Sequence, residues 1–220
     1  MDLYPGEVAC TRWALTQISD IAEGIRVGAK HAVTVIAVDG RSGGGKTTFA
    51  KALANELNAA LLSTDDFAWW HSFFDWSEMI VANAITPLVS GQSIEYRPEA
   101  WIERGREGAI CALASPFVII EGVGSLQKAI RENVNVGIWL QSDAKEAKRR
   151  GLERDLDQRP DPLEAERFWN EWQKAEDEFQ TTQQSWKCAD LWVCGTPKLL
   201  GLENTRESFL SASQNRETVG

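Results

Sequence analysis

The chain lacks an excess of basic charge. Lys and Arg number 23 against 32 Asp and Glu, a formal net charge of −9. Binding to a nucleic-acid backbone needs clustered Lys and Arg to neutralise phosphates, so a nucleic-acid polymer is not an expected partner; the acidic balance serves solubility. Cysteine is also sparse. Cys10, Cys111, Cys188 and Cys194 form no C-x-x-C pair, and no histidine lies near the last two. A zinc site is therefore not expected, and free thiols in a reducing cytosol are. No apolar run approaches the roughly 18–20 residues that span a bilayer, and no apolar segment follows a basic N-terminal region as in a signal peptide. The expectation is a cytoplasmic protein without a membrane. No internal repeat is visible, and the guanine signature N-K-x-D is absent, which argues against a GTPase.

What is present is concentrated at Gly40-Arg-Ser-Gly-Gly-Gly-Lys46-Thr47, a complete G-x-x-x-x-G-K-[ST] pattern. The β-branched run Ala32–Val38 ahead of it reads as a buried strand. Residues 46–58 behind it read as a helix, with Phe49, Leu53 and Leu57 at spacings of four. Strand, glycine loop and helix start thus follow directly. Such a loop turns successive N–H groups inward onto phosphate oxygens, and the helix N-terminus adds partial positive charge. Gly40, Ser42, Gly43, Gly44, Gly45, Lys46, Thr47 and Thr48 are the expected nucleotide contacts. Lys46 is expected to reach the β- and γ-phosphates, and the Thr47 hydroxyl to ligate Mg²⁺.

The rest of the chain is read around that loop. Residues 1–9 look like a loose lead-in, and 10–29 like an outer helix. Ala59–Ser63 reads as a strand delivering Asp65 and Asp66 to its carboxyl end, where open α/β sheets bind ligands. One of these acids can take the proton of an attacking hydroxyl; the alternative is an N-cap. An aromatic cluster follows, Phe67 to Trp76, most of it core material. Residues 75–90 look helical, kinked or stopped near Pro87. Tyr96 and Arg97 lie on a short extended piece that can touch a polar substrate, and 99–113 reads as a helix. Phe117–Glu121 has the form of a central strand ending in an acid beside the loop, able to hold a Mg²⁺-bound water or, alternatively, to cap the next helix. Residues 134–140 read as a strand, and 142–155 as a capped helix carrying Arg150 and Arg154 on one face. With the turn carrying Arg159, these suggest a lid over 150–162 whose guanidinium groups meet a triphosphate; the alternative is a solvated helix face. A long helix over 163–180 and a strand at 189–195 complete one domain, 1–202. The polar tail, 203–220, is expected to be partly disordered.

The succession VDGRSGGGKTT, LSTDDF, YRPEAW, VIIEGVG, RRGLERD with Arg159, and ADLWVCG resembles the uridine kinase family of P-loop kinases, from about Val35 to Gly195. The resemblance implies a P-loop NTPase of nucleoside-monophosphate-kinase type: a five-stranded parallel sheet, helices on both faces, and a lid. It implies ATP and Mg²⁺, Asp65 as catalytic base, Lys46 and Thr47 at phosphate and magnesium, Glu121 as the acid of the metal shell, and Arg154 and Arg159 on phosphate. Asp65, Phe67, Tyr96 and Arg97 are the expected acceptor contacts, with Asp65 also near the metal. The chain departs from the pattern at Ala68, where the family has tyrosine; at Gly151, where it has a lid arginine; near Asp161, where a further lid arginine falls; and in the Tyr96–Trp101 stretch. These changes fall mostly where the acceptor is held. The expected activity is ATP-dependent phosphoryl transfer to a primary hydroxyl of a small molecule, a nucleoside first. Another small alcohol, sugar-like or pantothenate-like, or a nucleotide-dependent switch without such an acceptor, are the alternatives. A homo-oligomer is left open.

Overall fold

Strand β2 (Thr34–Gly40) is buried along its whole length. Its alternate residues explain why. Ile36 and Val38 pack with Phe49, Leu53 and Ile21 on one face of the sheet. Val35 packs with Trp76, Ile80 and Leu88 on the other face. A strand covered on both faces carries a continuous apolar run instead of an alternating one. The computed structural model describes residues 1–156, 161–205 and 207–213, which form an α/β structure with helices on both sides of one large sheet.

In chain order the elements are β1 (Ala14–Gln17), α1 (Ile18–Gly28), β2, α2 (Lys46–Leu57), β3 (Ala60–Ser63) and α3 (Thr64–Ala68). Next come α4 (Ser77–Ile80), a π turn over Val81–Ile85, α5 (Thr86–Val89), β4 (Ile94–Tyr96), α6 (Glu99–Glu103) and β5 (Ile110–Ala112). The chain continues through β6 (Phe117–Glu121), α7 (Lys128–Arg131), β7 (Val136–Gln141), α8 (Ala144–Asp155), α9 (Pro162–Gln183), β8 (Leu191–Cys194) and β9 (Ser208–Ser213). The large sheet runs β1-β9-β8-β7-β2-β6-β3. Its five central strands, β8-β7-β2-β6-β3, are parallel, as the sequence suggests. β9 and β1 extend it antiparallel.

Several sequence expectations need correction. Residues 10–29 are not one helix: β1 precedes α1 and pairs with β9, Leu15 opposite Leu210. Part of the expected tail is therefore sheet, because Phe209 and Leu210 are buried and Phe209 meets the Phe49 ring edge-on at 5.0 Å. The lead-in is not loose, since Tyr4 is buried between Trp139 and Trp186. The helix expected over 99–113 stops at Glu103. Gly105 and Gly108 turn there with φ of 65° and 83°, and the chain returns as β5 against β4. Pro87 opens α5 within its first turn, a position that needs no N–H donor, and the π turn precedes it.

Candidate nucleotide and acceptor site

The carboxyl ends of β2, β6 and β3 lie level, with Glu121 in register with Val38 on one side and Ser63 on the other. The 40–47 loop leaves β2 at this edge. Gly43 takes φ +72°, and a Cβ there would stand 2.1 Å from the Ala147 carbonyl oxygen, so only glycine lets the loop lie against α8. No side chain caps α2. The bond from Phe49 N–H to Gly45 O, 3.2 Å, leaves the earlier amides of the first turn facing out with the exposed Thr47 and Thr48. Lys46 is buried and folds back to donate to Arg41 O at 3.0 Å.

Thr47 Oγ1 donates to both oxygens of Glu121, at 3.2 and 3.3 Å. Burial pushes the Glu121 carboxyl up, Lys46 opposes this, and the charge of Asp65 adds to it. Asp65 is exposed at the start of α3. Asp66 points away, into an ion pair with Arg106 at 2.6 Å. The structure thus separates two adjacent acids, of which only the resemblance had singled out Asp65. Hydroxyl and carboxylate oxygens are the donors a hard divalent cation takes, so Thr47 and Glu121 fit Mg²⁺. Among the described residues no group of three or more His, Cys, Asp or Glu is arranged as a metal site by itself.

Other expected contacts are elsewhere. Phe67 is fully buried and stacks at 6.1 Å on Tyr96, so it is core and not an acceptor contact. Arg97 is exposed and donates to Arg106 O at 2.7 Å. Arg150 is tied by Glu146, 2.9 Å, and by Gly195 O, 2.7 Å, and Gly195 itself packs against Gly44 of the loop. Arg154 pairs with Asp155 at 2.9 Å while its side chain stays largely exposed. Arg159 lies outside the described residues. Gly151 is filled by its neighbour: a Cβ there would stand 1.8 Å from the Trp169 ring, so α9 packs where the resemblance expects an arginine.

Sequence reasoning missed two buried acids. Asp39 ends β2 and accepts from the amides of Gly40 (2.7 Å), Gly124 and Leu126 (both 3.0 Å), and from Gln180 Nε2 (3.2 Å). Burial pushes it up, and those backbone donors pull the other way. Its only signal was an acid directly before the first loop glycine. Glu176 of α9 accepts from Tyr4 Oη at 2.7 Å and from Ser42 N–H at 2.8 Å. Burial raises its carboxyl against the pull of Lys46. Burial also holds the Tyr4 phenol well above its usual range, so it stays a donor. Nothing in the sequence near residue 176 signalled this contact.

No family model matches the chain, and no curated protein matches it. Solved structures do. A possible uridine kinase from Bacillus stearothermophilus is similar over 80% of this chain and 96% of its own, at 19% identity and a TM-score of 0.52. A proposed fructose transport system kinase from Silicibacter sp. TM1040 is similar over 68% of this chain and 86% of its own, at 17% identity and a TM-score of 0.46. Shikimate kinase from Bacteroides thetaiotaomicron is similar over 69% and 83%, at 18% identity and a TM-score of 0.34. The first likeness, with the loop between β2 and α2, defines the class: the chain has the α/β fold of P-loop kinases. It is the form of that fold seen in the uridine-kinase-like structure.

Proposed function

We propose that the chain transfers the γ-phosphoryl group of ATP to a hydroxyl of a small molecule, with a nucleoside as the first candidate acceptor. The observation that carries this is the linked set Lys46, Thr47, Glu121 and Asp65. Lys46 and Thr47 open α2, Thr47 bonds Glu121, and the Asp65 charge reaches Glu121 from the end of the neighbouring strand. Phosphate, metal and acceptor positions then share one cleft at the carboxyl edge of the sheet. The acceptor hydroxyl gives its proton to Asp65 as its oxygen bonds to the γ-phosphorus. The bond to the β–γ bridging oxygen breaks, and ADP leaves. Lys46 exchanges Arg41 O for phosphate oxygens and stabilises their charge. Thr47 and Glu121 would hold Mg²⁺, which supplies charge neutralisation of the phosphates when bound. Arg154 and Arg159 are the guanidinium groups proposed to meet phosphate from the lid.

Asp65→Asn tests the assignment. Turnover is expected to fall by roughly 10²- to 10⁴-fold, the usual contribution of a general base, while Mg·ATP affinity by calorimetry stays within about twofold. Full activity in that variant removes Asp65 from the mechanism. A panel of nucleosides, sugars and pantothenate-like alcohols, scored by ADP release above the acceptor-free rate, identifies the acceptor class.

A further inference from the structure

The phosphate loop has two consecutive residues that are not glycine, Arg41 and Ser42, and both are held by α9. Trp172 Nε1 donates to Ser42 Oγ at 2.8 Å. Glu176 Oε1 accepts the Ser42 amide at 2.8 Å. Asp177 pairs with Arg41 at 3.0 Å, and Gln180 Nε2 donates to Asp39 at 3.2 Å. Residues 172, 176 and 180 are four apart, hence on one face of the helix. They read off loop positions 42, 42 and 39, with Asp177 beside them on 41. The grip is closed from outside by Tyr4, whose hydroxyl donates to Glu176 at 2.7 Å and whose ring lies 3.7 Å under the Arg41 guanidinium. Glu176 is 1% exposed, and its Oε2 has no hydrogen-bond partner among the described residues. The two bonds that Oε1 accepts offset part of the cost of burying this carboxyl.

We propose that Glu176 is a positioning residue of the phosphate loop: it holds the Ser42 amide from α9 and so sets the backbone shape in which the loop takes phosphate. The inference rests on the loop binding nucleotide, as proposed above, and goes beyond it in naming what sets the loop.

The test is Mg·ADP calorimetry on the whole chain with Glu176→Ala, Glu176→Gln and Tyr4→Phe, combined with amide exchange. Loss of a hydrogen bond to a charged group predicts that Glu176→Ala raises Kd on the order of tenfold. Glu176→Gln, whose amide oxygen can still accept from Ser42 and Tyr4, stays within about threefold. KM for the acceptor is unchanged within about twofold in both. In the unsubstituted chain Mg·ADP slows exchange at residues 172–180 as well as 40–48; in Glu176→Ala at saturating Mg·ADP only 40–48 responds. Should Glu176→Ala not fold, Tyr4→Phe, which removes only the donor to Glu176, is expected to raise Kd about twofold to fivefold. Wild-type Kd with only a lowered Tm, a Gln variant as weak as Ala, or an unchanged Kd in Tyr4→Phe overturns the proposal while leaving the phosphoryl-transfer reading in place. No Mg·ADP binding by the unsubstituted chain removes both.

Discussion

Gly151 and Trp169 show how one residue sets the approach of two helices. The missing side chain lets the indole ring occupy the surface of α8, and Trp169 is buried there. Gly151→Ala gains helix propensity of roughly 1 kcal/mol but places a methyl inside the ring's contact distance. Overpacking costs about 1–3 kcal/mol, so a net loss of stability is expected, read as a lower midpoint in urea. The same scale decides where each acid sits. Asp65, Asp66, Asp39, Glu121 and Glu176 are chemically alike, and only their partners separate them. The strand-end position of Glu121 was legible because strand, acid and glycine are consecutive, and that of Asp65 because two acids follow the short apolar run 59–63 almost at once. The pairing of Asp66 with Arg106, 40 residues on, and the burial of Phe67 were not, because no local pattern records a contact across the fold.

At the scale of elements, α8 is held by a charge lattice on its first turns. Asp143 caps it, accepting from the amides of Lys145 and Glu146. Glu146 meets Arg149 at 2.7 Å and Arg150 at 2.9 Å, and its hydrogen bond with Arg149 is the main cause holding the Glu146 carboxyl down to about 2. A depressed carboxylate contributes stability above its unfolded value, about 4.3, and loses it as pH falls through the folded value. Carbon-detected NMR titration is therefore expected to place Glu146 near 2, with α8 helicity falling between about pH 4 and 2. Glu146→Gln should abolish that step, because the amide does not titrate, while its oxygen can still accept from Arg150. The i, i+3 and i, i+4 spacings of this lattice were visible in the sequence. That Arg150 is also held by Gly195 O, 45 residues away, was not.

At the scale of the molecule, the parallel sheet is completed by segments from both ends of the chain. β9 covers the outer edge of β8, and β1 covers β9 in turn. Phe209 is 3% exposed against Phe49 of α2, so Phe209→Ala is expected to cost about 3–5 kcal/mol, measured by chemical denaturation. Truncation after Leu202 should be worse than this substitution. It uncovers the β8 edge as an unpaired strand, a template for association, and concentration-dependent light scattering would reveal it. The polar composition after residue 203 hid this role, because a strand that buries Phe209 and Leu210 within six residues has too little periodicity to be read alone.

The sequence by itself determined the phosphate loop, its strand and helix, and the acids at the ends of β3 and β6, because each is a run of neighbouring residues whose backbone chemistry is local. The tertiary structure alone decided which acid stays exposed, which arginines are tied down, and that Tyr4, Trp172 and Glu176 brace the loop. Those contacts join residues more than a hundred positions apart, and only the packing of α9 and the N-terminal segment against the sheet brings them within hydrogen-bonding distance.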